Sequence, residues 1–322
     1  MKTFLTAATF ACLATASFAD TLTLYTSQPN ADAQKTVDAF MAANPGTEVE
    51  WVRDGTTKLM ARLRAEIEAG NPQPDVLLIA DTVTLEGMAQ DGLLTAYQSP
   101  EAASYDPALF SAEGFYHSTK LITTGIIYNT GAALAPTSWM DLKDAALKGQ
   151  IAMPSPLYSG AALIHLATLT GDKSLGWDFY GDLAANDARA KGGNGGTFKA
   201  VAAGEKPYGM VVDFLAIRNK AAGSPVEFVF PEEGVSYVTE PVAIMSSAKN
   251  VEAAQSFVDF MLSQSGQDLV LEMGYIPARG DMGVPEGFPA REEIKLMAFD
   301  PAVALENADS NKAKFAELFG AN

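Results

Sequence analysis

Thr21-Leu22-Thr23-Leu24-Tyr25, followed by Thr26-Ser27-Gln28-Pro29-Asn30, decides the fold. Apolar residues alternate through the first five, which is the period of a strand. The next five form a polar turn with residues that cap helices. Between residues 31 and 41, Ala33, Val37, Phe40 and Met41 recur at helical spacing, and Asn44-Pro45-Gly46 stops the run. The unit then repeats: Val49-Glu50-Trp51-Val52 as strand, Asp54-Gly55-Thr56-Thr57 as capping loop, residues 58–68 as helix. Asp75-Val76-Leu77-Leu78-Ile79-Ala80 reads as a strand buried on both faces and ends in Asp81-Thr82. Strand, polar loop and helix in succession predict an α/β lobe around a mostly parallel sheet.

A second lobe follows. Thr124-Gly125-Ile126-Ile127-Tyr128-Asn129 is a strand leaving the first lobe, and residues 139–147 and 161–170 are helical. Gln150-Ile151-Ala152-Met153 and Gly209-Met210-Val211-Val212 are strands. Lys191-Gly192-Gly193-Asn194-Gly195-Gly196-Thr197, the most glycine-dense loop, leads into a helix at 198–203. Val242-Ala243-Ile244-Met245 crosses back. The expected division is a leader at 1–19, one lobe from 20–122 with 243–290, and the other from 123–242 with 291–322.

The leader reading rests on a basic start, Met1-Lys2, an apolar stretch at 4–18 too short to span a bilayer, and Ser17-Phe18-Ala19 before Asp20. It predicts export with cleavage before Asp20. Cys12 is the only cysteine and leaves with the leader, so disulfides, zinc-thiolate sites and cysteine nucleophiles are excluded from the mature chain. A net charge of −17 repels nucleic acid and anionic lipid. The expected species is a monomer with no cofactor and no metal.

In open α/β sheets, ligands sit beyond the carboxyl ends of the strands, where loops meet helix starts. Here those loops carry hydroxyls, amides and glycines. Ser159-Gly160-Ala161 is the strongest anion loop, with Thr56-Thr57 and Gly195-Gly196-Thr197 similar; helix capping explains each one equally simply. Asp81 and Asp213 each end an apolar strand and either receive a cationic group or cap the next helix. Tyr25, Tyr158, Phe214 and Tyr237 are candidate walls, and Arg53, Lys58 and Lys120 candidate counter-charges. The two histidines, His117 and His165, have no metal-binding neighbour, and no nucleophile elbow or zinc helix occurs.

Leu24-Tyr25-Thr26-Ser27, Pro74-Asp75-Val76-Leu77-Leu78-Ile79-Ala80-Asp81, Tyr158-Ser159-Gly160-Ala161, Lys199-Ala200-Val201-Ala202-Ala203-Gly204-Glu205 and Phe230-Pro231-Glu232-Glu233-Gly234 resemble the ferric-iron-binding-like family of ABC-importer solute-binding proteins. The resemblance covers nearly the whole chain after the leader. It implies a two-lobed, type II-like periplasmic binding fold that hinges shut on a ligand in the interlobe cleft. It also implies a membrane permease as partner and capture in place of catalysis.

Iron-binding members supply adjacent tyrosines from the loop after the second-lobe strand, where this sequence has Asp213-Phe214. Their Ser-Gly-Ala loop binds an anion, which Ser159, Gly160 and Ala161 match, as Asn194 matches an anion-contacting asparagine. The anion half of the site is kept and the metal half lost. Trp51-Val52-Arg53-Asp54-Gly55-Thr56 also resembles aminoethylphosphonate-binding members. The resemblance therefore implies 2-aminoethylphosphonate, with its phosphonate on Ser159, Gly160, Ala161, Thr56, Thr57 and Thr197 and its ammonium at Asp81 or Asp213. Ser27, Tyr158, Phe214 and Tyr237 complete the expected site. A hexose phosphate, ferric iron, and an exported hydrolase on the same fold are the alternatives.

Overall fold

The structure is a computed structural model that describes residues 20–320; the leader expected at 1–19, with Cys12, lies outside the described residues. The opening half follows the repeating unit: β1 (Asp20–Thr26), α1 (Asn30–Ala43), β2 (Thr47–Arg53), α2 (Thr56–Glu68), β3 (Val76–Leu78), α3 (Thr82–Gln90) and the short β4 (Leu94–Thr95). From there β5 (Lys120–Asn129) carries the chain into a second sheet, followed by β6 (Ile151–Met153), α4 (Gly160–Gly171), α5 (Gly176–Ala185) and β7 (Arg189–Ala190). Next come α6 (Asn194–Ala202), β8 (Tyr208–Val212), α7 (Asp213–Ala221), β9 (Val226–Val229) and β10 (Ser236–Val238). The return strand β11 (Val242–Met245) precedes α8 (Val251–Leu262), α9 (Gln264–Glu272) and β12 (Ile276–Pro277), and α10 (Pro301–Glu306) and α11 (Ala308–Phe319) end the described chain.

Two sheets result, each with helices against it. The first has the order β2-β1-β3-β11-β4, and the second the order β10-β5-β8-β6-β7, with β9 and β12 also paired to β5. In the first sheet β1 is parallel to β2 and β3, as expected, but β11 enters antiparallel to β3 and β4. That direction follows from its origin, since it arrives from the second sheet instead of through a helical crossover.

Apolar side chains from β1, β3 and β11 fill both faces of the first sheet. Leu22, Leu24, Val76 and Leu78 pack towards Phe40 and Phe257, and Tyr25, Leu77 and Ile79 towards Leu59 and Leu63. Phe40 meets Phe257 edge-on at 5.0 Å between centroids. In the second sheet the core gathers around Trp139, Phe179 and Tyr180. Tyr25 is therefore core and not a ligand wall; its hydroxyl donates to Glu66 at 2.7 Å.

Two expected helices differ in extent. Residues 139–147 form two 3₁₀ turns, Trp139–Lys143 and Ala145–Leu147. Asp144 stands between them in an extended conformation (φ −58°, ψ 127°), and its carboxylate caps the second turn by accepting from the Ala146 amide at 2.8 Å. The helix expected at 198 begins at Asn194, so Gly195 and Gly196 lie inside its first turn. Glycine's poor helix propensity concealed that start; tertiary context overrides it.

Between the sheets the chain crosses on two adjacent segments. The His117 amide donates to the Val242 carbonyl at 3.0 Å, and the Thr119 amide to the Thr239 carbonyl at 3.1 Å. Lys120, at the head of β5, is fully buried here and paired with Glu240; it is no solvated surface charge.

Candidate functional site

A cavity of about 350 Å³ opens where the carboxyl ends of strands from both sheets face one another. Four helices begin at its wall. Gly55 and Thr56 start α2, Ser159 and Ala161 start α4, Gly193 to Gly196 start α6, and Val212 and Phe214 start α7. The first amides of a helix lack intrahelical partners and carry its partial positive charge. Four such ends around one cavity form a cradle for an anion.

Asn194 braces three of these starts. It is the first residue of α6, its Nδ2 donates to Ser159 Oγ at 3.3 Å, and its Oδ1 accepts from the Val212 amide at 3.2 Å. Ser159 Oγ in turn accepts from the Ala162 amide at 3.3 Å, so the capping and the anion-loop readings of this serine both apply. Ser27 lies across the cavity and fixes the end of β3, its Oγ accepting from the Ala80 amide at 2.9 Å. Lys199 and Arg53 bring positive charge to the lining. Arg53 is oriented by the Gln28 carbonyl, to which its Nε donates at 2.7 Å.

The cavity's rim joins the two halves. The Thr57 amide donates to the Tyr158 carbonyl at 3.2 Å, its Oγ1 to the Pro156 carbonyl at 3.3 Å, and the Tyr158 hydroxyl to Asp54 at 3.0 Å. Asp54 also pairs with Lys58, whose ammonium points to solvent and not to the cavity.

Of the thirteen residues expected at the site, Ser27, Thr56, Tyr158, Ser159, Ala161, Asn194 and Phe214 line the cavity. The other six lie elsewhere. Thr57 is a rim residue, and Gly160 faces the Ala80 carbonyl. Thr197 is buried beneath the cradle, its Oγ1 without a partner among the described residues. Tyr237 lines a separate cavity of about 250 Å³ with Tyr116 and Phe299.

Both aspartates are turned away from the lining. Asp81 caps α3, accepting from the Thr84 amide at 3.0 Å and from the Thr84 hydroxyl. Asp213 accepts from the Thr123 amide and hydroxyl, each at 2.8 Å, and from the Phe214 amide at 2.6 Å. Burial pushes the Asp213 carboxyl up to about 6 against the pull of these donors.

The acidic residue that does line the cavity is Glu240, which the sequence reading passed over. Its signal was available: Thr239-Glu240-Pro241 puts an acid in an otherwise apolar crossing segment. Gln28 Nε2 donates to Glu240 Oε2 at 3.2 Å. Among the described residues, one phenol lines the cavity, that of Tyr158, and it is committed to Asp54.

Two sheets with a cavity between helix starts define a two-lobed α/β binding protein. The model of the bacterial extracellular solute-binding protein family matches residues 35–295, and the chain belongs to that family. It is 28% identical over 276 residues to a probable ABC transporter periplasmic-binding protein, y4fP, of Sinorhizobium fredii, covering 80% of this chain and 74% of the relative. Among solved structures, the periplasmic binding protein AfuA from Actinobacillus pleuropneumoniae, with fructose-6-phosphate bound, aligns with a TM-score of 0.85 at 23% identity, over 94% of this chain and 99% of that one. Iron-bound HitA from Pseudomonas aeruginosa aligns at 0.79 and 24% identity, over 92% and 99%. At these identities the two structures share the fold, which is the two-lobed periplasmic binding architecture.

Proposed function

We propose that this protein is the periplasmic capture subunit of an ABC importer and that its solute is a small organophosphorus anion, 2-aminoethylphosphonate first. The observation that carries the reading is the convergence of four helix starts, braced by Asn194, on one cavity. A phosphonate dianion would accept from the amides and hydroxyls at Thr56, Ser159, Ala161 and the α6 start, in charge-assisted hydrogen bonds. Since Asp81 and Asp213 are turned away from the lining, the ammonium falls to Glu240, the acidic residue that lines the cavity. The leader at 1–19 and the lobe limits 20–122 with 243–290 and 123–242 with 291–322 belong to the same proposal. Closure of the lobes would bury the solute and present it to the permease, with no covalent step.

A hexose phosphate is the second reading. Glu240 lines the cavity already paired with Lys120, so it would offer hydroxyl groups an acceptor without demanding a cation. The cavity of about 350 Å³ also exceeds the needs of the smaller solute.

Thermal shift and calorimetry against 2-aminoethylphosphonate, glucose 6-phosphate, inorganic phosphate and ferric citrate decide between them. A solute at a hundred times its dissociation constant adds about 2.7 kcal/mol of stability. Stabilisation by 2-aminoethylphosphonate but not by glucose 6-phosphate is the expected result. Stabilisation by ferric citrate alone, with a phenolate-to-iron absorption band, overturns the organophosphorus reading, and turnover of a bound ester would make the protein a hydrolase.

A further inference from the structure

Two glycines stand on opposite sides of the cleft, each aimed at the other side's backbone. Gly55 precedes α2 on the first sheet's side. A Cβ there would lie 2.5 Å from Tyr158 Cε1 and 2.6 Å from the Tyr158 carbonyl oxygen. Gly160 opens α4 on the second sheet's side, where a Cβ would lie 2.5 Å from the Ala80 carbonyl oxygen and 2.9 Å from Asp81 Cβ and Thr56 Oγ1. Both distances fall roughly 1 Å short of ordinary van der Waals separation.

The opposing atoms cannot swing aside. The Tyr158 carbonyl accepts from the Thr57 amide, and the Asp81 side chain is held by Thr84. Nor does backbone conformation require glycine at these places. Gly55 has φ −60°, open to any residue, and Gly160 is a helical residue. By contrast, a Cβ on Gly181, Gly195 or Gly196 would meet nothing within 4 Å. The need for glycine at 55 and 160 thus arises only from contact across the cleft, that is, only when the lobes are together.

We infer that Gly55 and Gly160 form a steric key that sets how closely the lobes approach and therefore how tightly the solute is held. This goes beyond the identity of the solute, since it concerns closure itself. A methyl group at either position wedges the rim, breaks the Thr57–Tyr158 hydrogen bond and leaves each lobe's own packing untouched. With a smaller closed fraction, apparent affinity falls in proportion.

The test measures closure directly, by pulsed electron paramagnetic resonance between spin labels at two exposed positions, Glu48→Cys and Lys173→Cys, in a Cys12→Ser chain. Wild type, Gly55→Ala, Gly160→Ala and the control Gly181→Ala are compared alone and with saturating 2-aminoethylphosphonate or glucose 6-phosphate. The expected result is a closed-state distance in the wild type and in Gly181→Ala that both rim variants lose, with calorimetric affinity for a binding probe reduced at least about tenfold. Persistence of the closed distance in both rim variants overturns the inference, as does its absence from the wild type under every condition. Unfolding of a rim variant overturns it too, because a contact made only across the cleft leaves the lobes folded. A wild type that closes but responds to neither probe leaves the key standing and removes the proposed solute.

Discussion

Lys120 and Glu240 meet where the two crossing segments run side by side, with Nζ 2.5 Å from Oε2 and side chains 0% and 3% exposed. It is a contact of charges and not an aligned hydrogen bond. The Tyr275 ring lies 4.3 Å from the same ammonium. Glu240 adopts φ 38°, a left-handed conformation that costs an L-residue roughly 1–2 kcal/mol. Such strain persists where surrounding structure over-determines it, and here the side chain is tied to Lys120 and Gln28 and the residue borders the cavity. The ion pair therefore links the interlobe connection to the cavity wall.

Removing one partner exposes that dependence. Lys120→Met should lose about 3–5 kcal/mol of stability, because Glu240 is left buried and charged. Lys120→Met combined with Glu240→Gln should recover most of the loss, since no charge then remains. Urea unfolding of the two single variants and the double variant measures the coupling; a double variant as unstable as the sum of the singles would mean the pair does not act as one.

Asn194→Asp tests the sign of the cradle. The new carboxylate is isosteric and can still accept from the Val212 amide and, by rotation of its hydroxyl, from Ser159. Folding should be nearly unchanged. A unit charge about 4 Å from a bound anion repels it by ~4 kcal/mol at an effective dielectric of 20. Calorimetry should show affinity for a phosphonate or phosphate ester reduced by about three orders of magnitude. Tighter binding would mean that the cavity takes a cation.

Much of this site was legible from local pattern. Strand followed by polar loop followed by helix start places Ser27, Thr56 and Ser159 at one end of their sheets, because ligand loops follow the strands' carboxyl ends. Orientation about the chain was not legible. Asp81 and Asp213 lie at the expected strand tips, yet each turns to cap or brace backbone beside it, a choice made by neighbours such as Thr84 and Thr123 that no spacing rule identifies. Glu240 was missed for the complementary reason: it becomes a wall residue only once two segments 120 residues apart lie together. The same holds for Gly160, whose neighbour Ala80 belongs to the other sheet's side.

Asp213 gives the protein a specific pH dependence. Its carboxyl is raised to about 6 in the fold, against roughly 3.9 in an unfolded chain. The folded state thus holds this proton more tightly, so its contribution is complete below about pH 4 and lost as pH rises through 6, a swing of about 3 kcal/mol. Asp213→Asn removes this titration. Melting temperatures taken from pH 4.5 to 7.5 should show the wild type losing ground to the variant as pH increases. A difference that stays constant across the range would mean that Asp213 titrates normally.

Arg218 and Asp32 tie α7 to α1 across the two halves. Nη1 and Nη2 of the guanidinium donate to the two carboxylate oxygens at 3.1 and 3.0 Å, and Nη1 also donates to the Met273 carbonyl at 2.6 Å. The same guanidinium lies 4.6 Å from the ring of Phe214, a wall of the cavity. A fork that satisfies a carboxylate at two points and stacks on an aromatic ring has no lysine equivalent. Arg218→Met should therefore cost about 2 kcal/mol in stability and weaken solute binding, with Arg218→Lys recovering only part of either. Parallel denaturation and calorimetry separate the two effects. Loss of stability with unchanged affinity would confine the pair to holding the fold, whereas loss of both makes it part of the hinge that holds Phe214 against the solute.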